Sequence, residues 1–102
     1  MKKVIEGKLY NTETADSLAE WGNGLCYTDF NFLSETLYRT KKGKFYLHGC
    51  GGARTRYSEA YGNCRGEGED IVPLSEAEAR KWVEEKFDGD KYIEIFGQPE
   101  EA

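Results

Sequence analysis

The strongest structural signal in the sequence is the segment Leu33-Ser-Glu-Thr-Leu-Tyr-Arg-Thr-Lys-Lys-Gly-Lys-Phe-Tyr-Leu-His-Gly49. Residues 33–40 alternate as a strand does, with Leu33 and Leu37 on one side and Thr36, Tyr38 and Thr40 on the other. Residues 41–44 suit a turn, because Gly43 adopts a positive φ without steric cost. Two strand patterns joined by four turn residues predict a β-hairpin over 33–49.

The residues before this hairpin predict a strand followed by a helix. Residues 3–10 contain good strand formers, although Gly7 weakens their middle. Asn11-Thr12 is typical of a helix start and Gly22-Asn-Gly24 of a helix end, so we expect a helix over 12–21. Residues 25–31 fit neither pattern, but we expect burial of the large or apolar side chains nearby, which are Cys26, Tyr27, Phe30 and Phe32.

The residues after the hairpin begin with a glycine-rich stretch over 49–70 that lacks apolar periodicity, and we expect a long loop there. Ile71-Val-Pro-Leu74 predicts a short edge strand, since Pro73 lacks the N–H that a sheet requires. Ser75 and Glu78 form a capping-box pattern that opens a helix over 75–87. Residues 91–96 predict a last strand or a docked tail.

These elements predict an α+β fold, with a small antiparallel sheet around a central hairpin and two helices packed on one face. We expect residues 1–97 to form a single domain and residues 98–102 to be a frayed tail.

The composition is that of a folded domain with one core. The chain has 102 residues, 38% hydrophobic and 14% aromatic, and no apolar run approaches the roughly 18 residues that cross a membrane. The start has no apolar stretch of signal-peptide length, because Glu6, Gly7 and Lys8 interrupt it. We therefore expect a cytoplasmic protein that does not contact membranes, with its odd number of cysteines present as free thiols.

The net charge of −5 is distributed unevenly along the chain. Residues 1–66 contain ten basic and seven acidic side chains, whereas residues 67–102 contain four basic and twelve acidic ones. The first part is therefore net +3 and the second net −8. Such a split suggests a charged partner, although solvation of the surface explains it as well.

The residue types for metal or nucleophilic chemistry are few. Zinc ligands would come from Cys26, His48, Cys50 and Cys64, but no C-x-x-C pair is present and His48 and Cys50 are unusually close in sequence. The same two residues share a strand face, which alone is weak evidence for a nucleophilic site. We therefore predict no catalytic residue, no metal and no cofactor, with a small enzyme or metal protein as the less favoured alternative.

Two binding functions remain open. A nucleic-acid-binding accessory protein would contact phosphates, including those of RNA, through a basic hairpin and loop face. The hairpin contributes Arg39, Lys41, Lys42 and Lys44, and the loop contributes Arg54, Arg56 and Arg65. Tyr38, Tyr46, Tyr57 or Tyr61 would then stack on bases. The negative net charge opposes this unless the basic face is well separated from the acids.

The second function is nucleic-acid mimicry. A small acidic protein can occupy the basic nucleic-acid channel of another protein, because its carboxylates take the place of phosphates. The acids that we expect to contact the partner flank the second predicted helix, and arginines and tyrosines of the 49–66 loop add the usual interface anchors. The predicted partner-binding residues are Glu67, Glu69, Asp70, Asp88, Asp90, Glu94, Arg54, Arg56, Tyr57 and Tyr61.

Three stretches carry a resemblance to known proteins: residues 7–15 (GKLYNTETA), residues 35–49 with Gly51, Gly52 and Tyr57, and residues 71–82 (IVPLSEAEARKW). Together they resemble a group of short acidic proteins that phages and conjugative elements of Gram-positive bacteria carry. Some small acidic proteins of such elements are anti-CRISPR proteins that inhibit type II-A Cas9. The resemblance implies a mobile-element inhibitor that binds a nuclease such as Cas9 and blocks the loading of guide RNA or DNA. It implies no catalytic residue.

Overall fold

The computed structural model describes residues 1–61 and 64–102, without the side chains of Tyr61, Cys64 and Arg65. Over these residues the strands are β1 (Lys2–Ile5), β2 (Lys8–Asn11), β3 (Asp16–Gly22), β4 (Leu33–Arg39), β5 (Phe45–Gly51), β6 (Glu59–Tyr61), β7 (Cys64–Gly66) and β8 (Gly68–Leu74). The helices are α1 (Glu76–Lys86) and α2 (Gly89–Phe96). The predicted α+β class with a small antiparallel sheet is confirmed.

The centre of the molecule is a four-stranded antiparallel sheet in the order β3-β4-β5-β8. The predicted hairpin forms its middle, with Leu37 opposite Leu47. The turn is closed by the N–H of Thr40, which donates to the carbonyl oxygen of Lys44 at 2.8 Å, and Gly43 has a φ of 82°. The predicted edge strand at Ile71–Leu74 is also confirmed, as the second half of β8.

Both helices pack on one face of this sheet. Ala79, Trp82 and Val83 of α1 are buried against the apolar side chains of the central strands, and α2 adds partly buried side chains to the same core. The capping box predicted at Ser75 and Glu78 is present. The core residues contributed by the sheet are Ala19, Leu37, Phe45 and Leu47.

The opposite face of the sheet is partly covered by the β1–β2 hairpin. Tyr46 lies at the centre of this second cluster, stacked on Tyr38 at 5.2 Å and in edge contact with Tyr10 at 5.4 Å between ring centroids. Burial raises the pKa of Tyr46 to about 12. Two of the tyrosines considered for base stacking, Tyr38 and Tyr46, are therefore used in packing.

The helix predicted over 12–21 is wrong, because this segment contains strand β3. Asn11 does begin a local turn, since its side chain accepts from the N–H of Glu13 at 3.0 Å. The chain then continues as an edge strand paired with β4, with a register irregularity between Ser17 and Ala19. Pairing with β4 provides hydrogen-bond partners for the backbone and buries Ala19 in the core. These tertiary interactions override the helix signals of the sequence.

Two other predicted elements need correction. Residues 3–10 form two strands, β1 and β2, around a turn at Glu6 and Gly7, both with positive φ. Residues 91–96 lie in helix α2, which begins because Asp88 accepts from the N–H of Lys91 at 3.1 Å. The second helix of the fold is therefore α2 and not residues 12–21.

The glycine-rich stretch is not one long loop over the described residues. Strand β5 continues to Gly51, and β6, β7 and the first residues of β8 follow before residue 71. Several of its glycines are sites of close approach: a Cβ at Gly49 would overlap the ring of Tyr57, and one at Gly52 would overlap the backbone at Asp29 and Phe30. Glycine is needed there for packing, which explains why apolar periodicity is missing.

In the described part of the chain, neither helix has the length and apolar character that a bilayer span requires.

Candidate functional site

Two clefts lie at opposite ends of the central sheet. The first, which we call the acidic cleft, lies where β5 ends and β8 begins and has a volume of about 530 Å³. Its lining includes three carboxylates and two aromatic side chains, from Glu59, Glu67, Glu69, Tyr27 and Phe32. Cys50 and Glu69 are direct cross-strand neighbours, so the strand register places them on the same face of the sheet.

The connection between β3 and β4, residues 23–32, borders the acidic cleft and presents aromatic side chains to solvent. Tyr27 is 68% exposed and Phe30 is 60% exposed, and Leu25 and Cys26 of the same loop are exposed as well. The sequence prediction that these side chains are buried is therefore wrong; Phe32 alone of the four predicted residues is partly covered.

Hydrogen bonds to the backbone of this loop hold it in place. The Asn23 side chain accepts from the N–H of Leu33 at 3.2 Å and donates to the carbonyl oxygen of Asn31 at 2.7 Å. The N–H of Gly52 donates to the carbonyl oxygen of Phe32 at 2.9 Å, and that of Arg54 donates to Phe30 at 2.8 Å. The exposed rings are therefore carried by a loop with defined hydrogen bonds, which reduces the entropy lost when they are buried by a partner.

The acids predicted near the start of β8, which are Glu67, Glu69 and Asp70, lie in one region of the surface. Glu69 lies 3.1 Å from Nε2 of His48, and Asp70 forms an ion pair with Lys3. Burial acts to raise the pKa of Asp70, but the hydrogen bonds from Lys3 and from the N–H of Ile71, with the charge of Lys3, outweigh it and lower this pKa. Glu67 and Glu69 line the acidic cleft, whereas Asp70 belongs to a smaller neighbouring cleft.

The predicted acids of α2 lie elsewhere. Asp88 caps the helix, and Glu94 lies 3.5 Å from Nζ of Lys91. Lys91 shares a shallow cleft with residues 17–20 of β3, which is the sheet edge opposite β8. The structure therefore places Asp88, Asp90 and Glu94 away from Glu67, Glu69 and Asp70, and the two groups do not form one continuous site.

The predicted arginines and tyrosines divide between surface and core. Arg54 is exposed, with its guanidinium 5.9 Å from the ring centroid of Phe30, so it belongs to the surface beside the acidic cleft. Tyr57 is only 4% exposed and is a core residue. Arg56 is exposed and lies over the Tyr57 ring at 5.4 Å. The side chain of Tyr61 lies outside the described residues.

Tyr57 is held by a buried carboxylate that the sequence analysis missed. Glu35 is 4% exposed, and its two oxygens accept from the Tyr57 hydroxyl at 2.5 Å and from Nε1 of Trp82 at 3.1 Å. Arg56 lies 3.8 Å from the same carboxylate. Burial and the neighbouring carboxylate raise the pKa of Tyr57, so its hydroxyl stays protonated and donates.

In the part of the chain that the structure describes, the metal and nucleophile alternatives gain no geometric support; the side chain of Cys64, one of the predicted zinc ligands, lies outside it. Among the described residues no group of three potential ligands lies close enough to hold a metal ion. His48 contacts Glu69 and not Cys50. Burial, followed by the charges of Glu69 and Glu67, raises the pKa of the Cys50 thiol, which disfavours the thiolate that a nucleophile needs.

The second cleft, which we call the lysine cleft, lies between β2 and the β4–β5 turn and has a volume of about 560 Å³. Lys41, Lys42 and Lys44, three of the residues predicted for phosphate contacts, line it. Arg39 does not line it, because it occupies the same strand face as Leu37, which packs against the helices. Lys8 joins the group from β2, and only the tertiary structure brings it there.

Comparison of the chain with family models, with curated proteins and with solved structures gives no match.

Proposed function

We propose that this chain is a mobile-element inhibitor that binds a nucleic-acid-handling bacterial protein through the acidic cleft and the β3–β4 connection beside it, residues 23–32, which we call the aromatic loop. The observation that carries the proposal is the juxtaposition of three carboxylates, Glu59, Glu67 and Glu69, with the exposed ring of Tyr27 around one cleft. The sequence resemblance names type II-A Cas9 as the partner to test first.

The carboxylates supply the electrostatic part of this interaction. A basic channel that normally holds nucleic acid attracts closely spaced negative charges, and the acidic cleft presents such charges at one end of the sheet. Association driven in this way is fast and weakens as salt screens the charges. Guide RNA or DNA would compete for the same basic channel, so the inhibitor acts by occupancy without performing a reaction.

The aromatic loop supplies the apolar part. Tyr27 and Phe30 are large side chains with little conformational entropy, and burial of such rings contributes much of the binding energy in protein interfaces. Arg54 lies beside Phe30 and is of a residue type that is common among interface anchors. These three residues would give the contact a shape requirement that a simple polyanion lacks.

The direct test is binding of the purified chain to Cas9, without guide RNA and with guide RNA bound, at about 50 and 500 mM salt. We expect binding to guide-free Cas9 that weakens with salt and is reduced by guide RNA. Absence of binding to guide-free Cas9 at low salt would remove Cas9 as the partner.

Matched variants locate the contact surface. Glu67→Gln with Glu69→Gln should weaken binding by about tenfold or more, which corresponds to about 1.4 kcal/mol. Glu84→Gln with Glu85→Gln makes the same change in net charge on the exposed side of α1 and should have a much smaller effect. Asp90→Asn with Glu94→Gln tests the acids of α2; an equal loss in that variant would contradict the assignment to the acidic cleft.

A further inference from the structure

The lysine cleft is the feature of the molecule that the proposed function does not use. Four lysines from two separate elements line it: Lys8 from β2, and Lys41, Lys42 and Lys44 from the β4–β5 turn. The polar side chains of Asn11, Thr14 and Thr40 lie along the same cleft. Its volume of about 560 Å³ is within the range of ligand sites.

Three of the four lysines in this cleft have no carboxylate within ion-pair distance among the described residues. Nζ of Lys41 lies 3.3 Å from Asp16, an exposed pair that is worth little in water. Lys8, Lys42 and Lys44 form no ion pair with any carboxylate of residues 1–61 and 64–102. Holding three such ammonium groups in one cleft costs repulsion that a bound anion would relieve.

The negative net charge of the protein does not cancel the positive charge of this cleft, because the acids of β8 lie at the other end of the sheet. Five residues of strand β5, 45–49, separate Lys44 of the lysine cleft from Cys50 of the acidic cleft, which is six steps along the strand. At about 3.3 Å per residue this is a separation of roughly 20 Å. The Debye length at physiological salt is about 8 Å, so repulsion from the acidic cleft is largely screened at the lysine cleft.

We propose that the lysine cleft binds the phosphate backbone of a single-stranded nucleic acid. A strand fits better than one phosphate group, because the lysines come from two elements along an open cleft and lysine acts as a flexible point charge. Tyr10, the aromatic residue of the cleft, is buried against Tyr46 and offers no free ring for stacking. The contact is therefore to phosphates and is independent of base sequence.

This inference is independent of the proposed function, since the described residues that line one cleft do not line the other. If both hold, the protein contacts a nucleic-acid-handling partner with one end and a bound or displaced strand with the other.

The test is fluorescence anisotropy of a labelled 15-nucleotide uridine RNA and of the corresponding thymidine DNA, titrated with the full chain at several salt concentrations. Three or four phosphate contacts predict that affinity falls about twenty- to fiftyfold between 50 and 200 mM salt. We expect similar affinities for the RNA and the DNA. No saturable binding at 50 mM salt would overturn the proposal.

A charge-matched pair of variants assigns the binding to the cleft. Lys42→Gln with Lys44→Gln changes two exposed turn residues, so the fold is expected to survive, which circular dichroism checks. This variant should bind at least tenfold more weakly at 50 mM salt and show a shallower salt dependence, by about 1.4 in the slope of log affinity against log salt. Lys81→Gln with Lys91→Gln removes the same charge from the helices and should leave the slope unchanged. Equal effects of the two variants would overturn the assignment.

Competition distinguishes a strand from a single phosphate. Inorganic phosphate or uridine monophosphate, compared with chloride at equal ionic strength, should not displace the labelled RNA. Specific displacement by either would show a site for one phosphate group and would overturn the proposal of a strand.

Discussion

The hydroxyl oxygen of Tyr57 lies 2.5 Å from Oε2 of Glu35, in a part of the core where both side chains are only 4% exposed. Because Trp82 donates to the other oxygen of Glu35, one buried carboxylate connects strand β4, helix α1 and the segment after β5. This segment also contacts the aromatic loop through Gly52 and Arg54. The network therefore supports the surface on which the proposed function depends.

Tyr57→Phe removes one donor from this buried carboxylate and leaves the ring in place. We expect the free energy of unfolding to fall by about 1–3 kcal/mol, since a buried acceptor loses its partner. Urea denaturation measures the change. The slope of the unfolding free energy against urea concentration should be the same for the variant and the parent chain. Tyr27→Phe is the control, because that hydroxyl is exposed, and it should change stability by less than about 0.5 kcal/mol. Equal stability of the Tyr57→Phe variant and the parent chain would contradict this account.

Gly49→Ala places a methyl group in the space that the Tyr57 ring occupies. The backbone of a strand tolerates alanine, so the expected destabilisation of about 1–3 kcal/mol comes from the overlap with that ring. A double-mutant cycle with Tyr57→Ala tests the cause. In the Tyr57→Ala background the added methyl group should cost much less; an undiminished cost would mean that another contact of Gly49 is responsible.

The ion pair between Lys3 and Asp70 predicts a pH dependence of stability. The pKa of Asp70 is lower in the folded protein than its ordinary value of 3.8, so the folded state favours the charged carboxylate. This stabilisation is present above the ordinary pKa and is lost as the pH falls through the folded-state pKa. Unfolding of the parent chain and of Asp70→Asn should therefore differ at pH 6 to 7, and the difference should begin to shrink as the pH falls below about 4. A difference that does not change with pH would show that the charge of Asp70 is not involved.

The two described cysteine side chains should differ in reactivity. Cys26 is exposed, and hydrogen bonds from the Thr28 side chain and backbone lower its pKa, whereas burial raises the pKa of Cys50. Thiolate is the reacting species, so iodoacetamide near pH 7.5 should modify Cys26 well before Cys50. Peptide mass spectrometry at short times measures the order. Modification of both at the same rate would contradict it, and urea-unfolded protein provides the control in which the difference disappears.

The most reliable sequence predictions concern elements whose signals are local. The β4–β5 hairpin follows from alternation and a glycine turn, and α1 follows from the Ser75–Glu78 capping box and an apolar stripe. The helix prediction for 12–21 was wrong because its helix signals were weaker than the strand pairing and burial available at the edge of β4. Likewise, the glycines of 49–52 suggested a loop because the side chains that pack over them, such as Tyr57, come from elsewhere in the chain.

The candidate sites show the same division. The sequence identified Glu67 and Glu69 as acids of one region and Lys41, Lys42 and Lys44 as a basic turn, since these residues are neighbours along the chain. It did not show that α2 places its acids at the opposite sheet edge, that Tyr27 and Phe30 remain exposed, or that Lys8 completes the lysine cleft.

By itself, then, the order of residues determined the antiparallel hairpin, the capped helix and the uneven charge. Turns, caps and alternation depend on hydrogen bonds and geometry within a few residues. The tertiary structure alone decided which strand pairs at the edge, which tyrosine is buried and which charges share a cleft. Those outcomes depend on burial and backbone pairing between segments that are far apart in the chain.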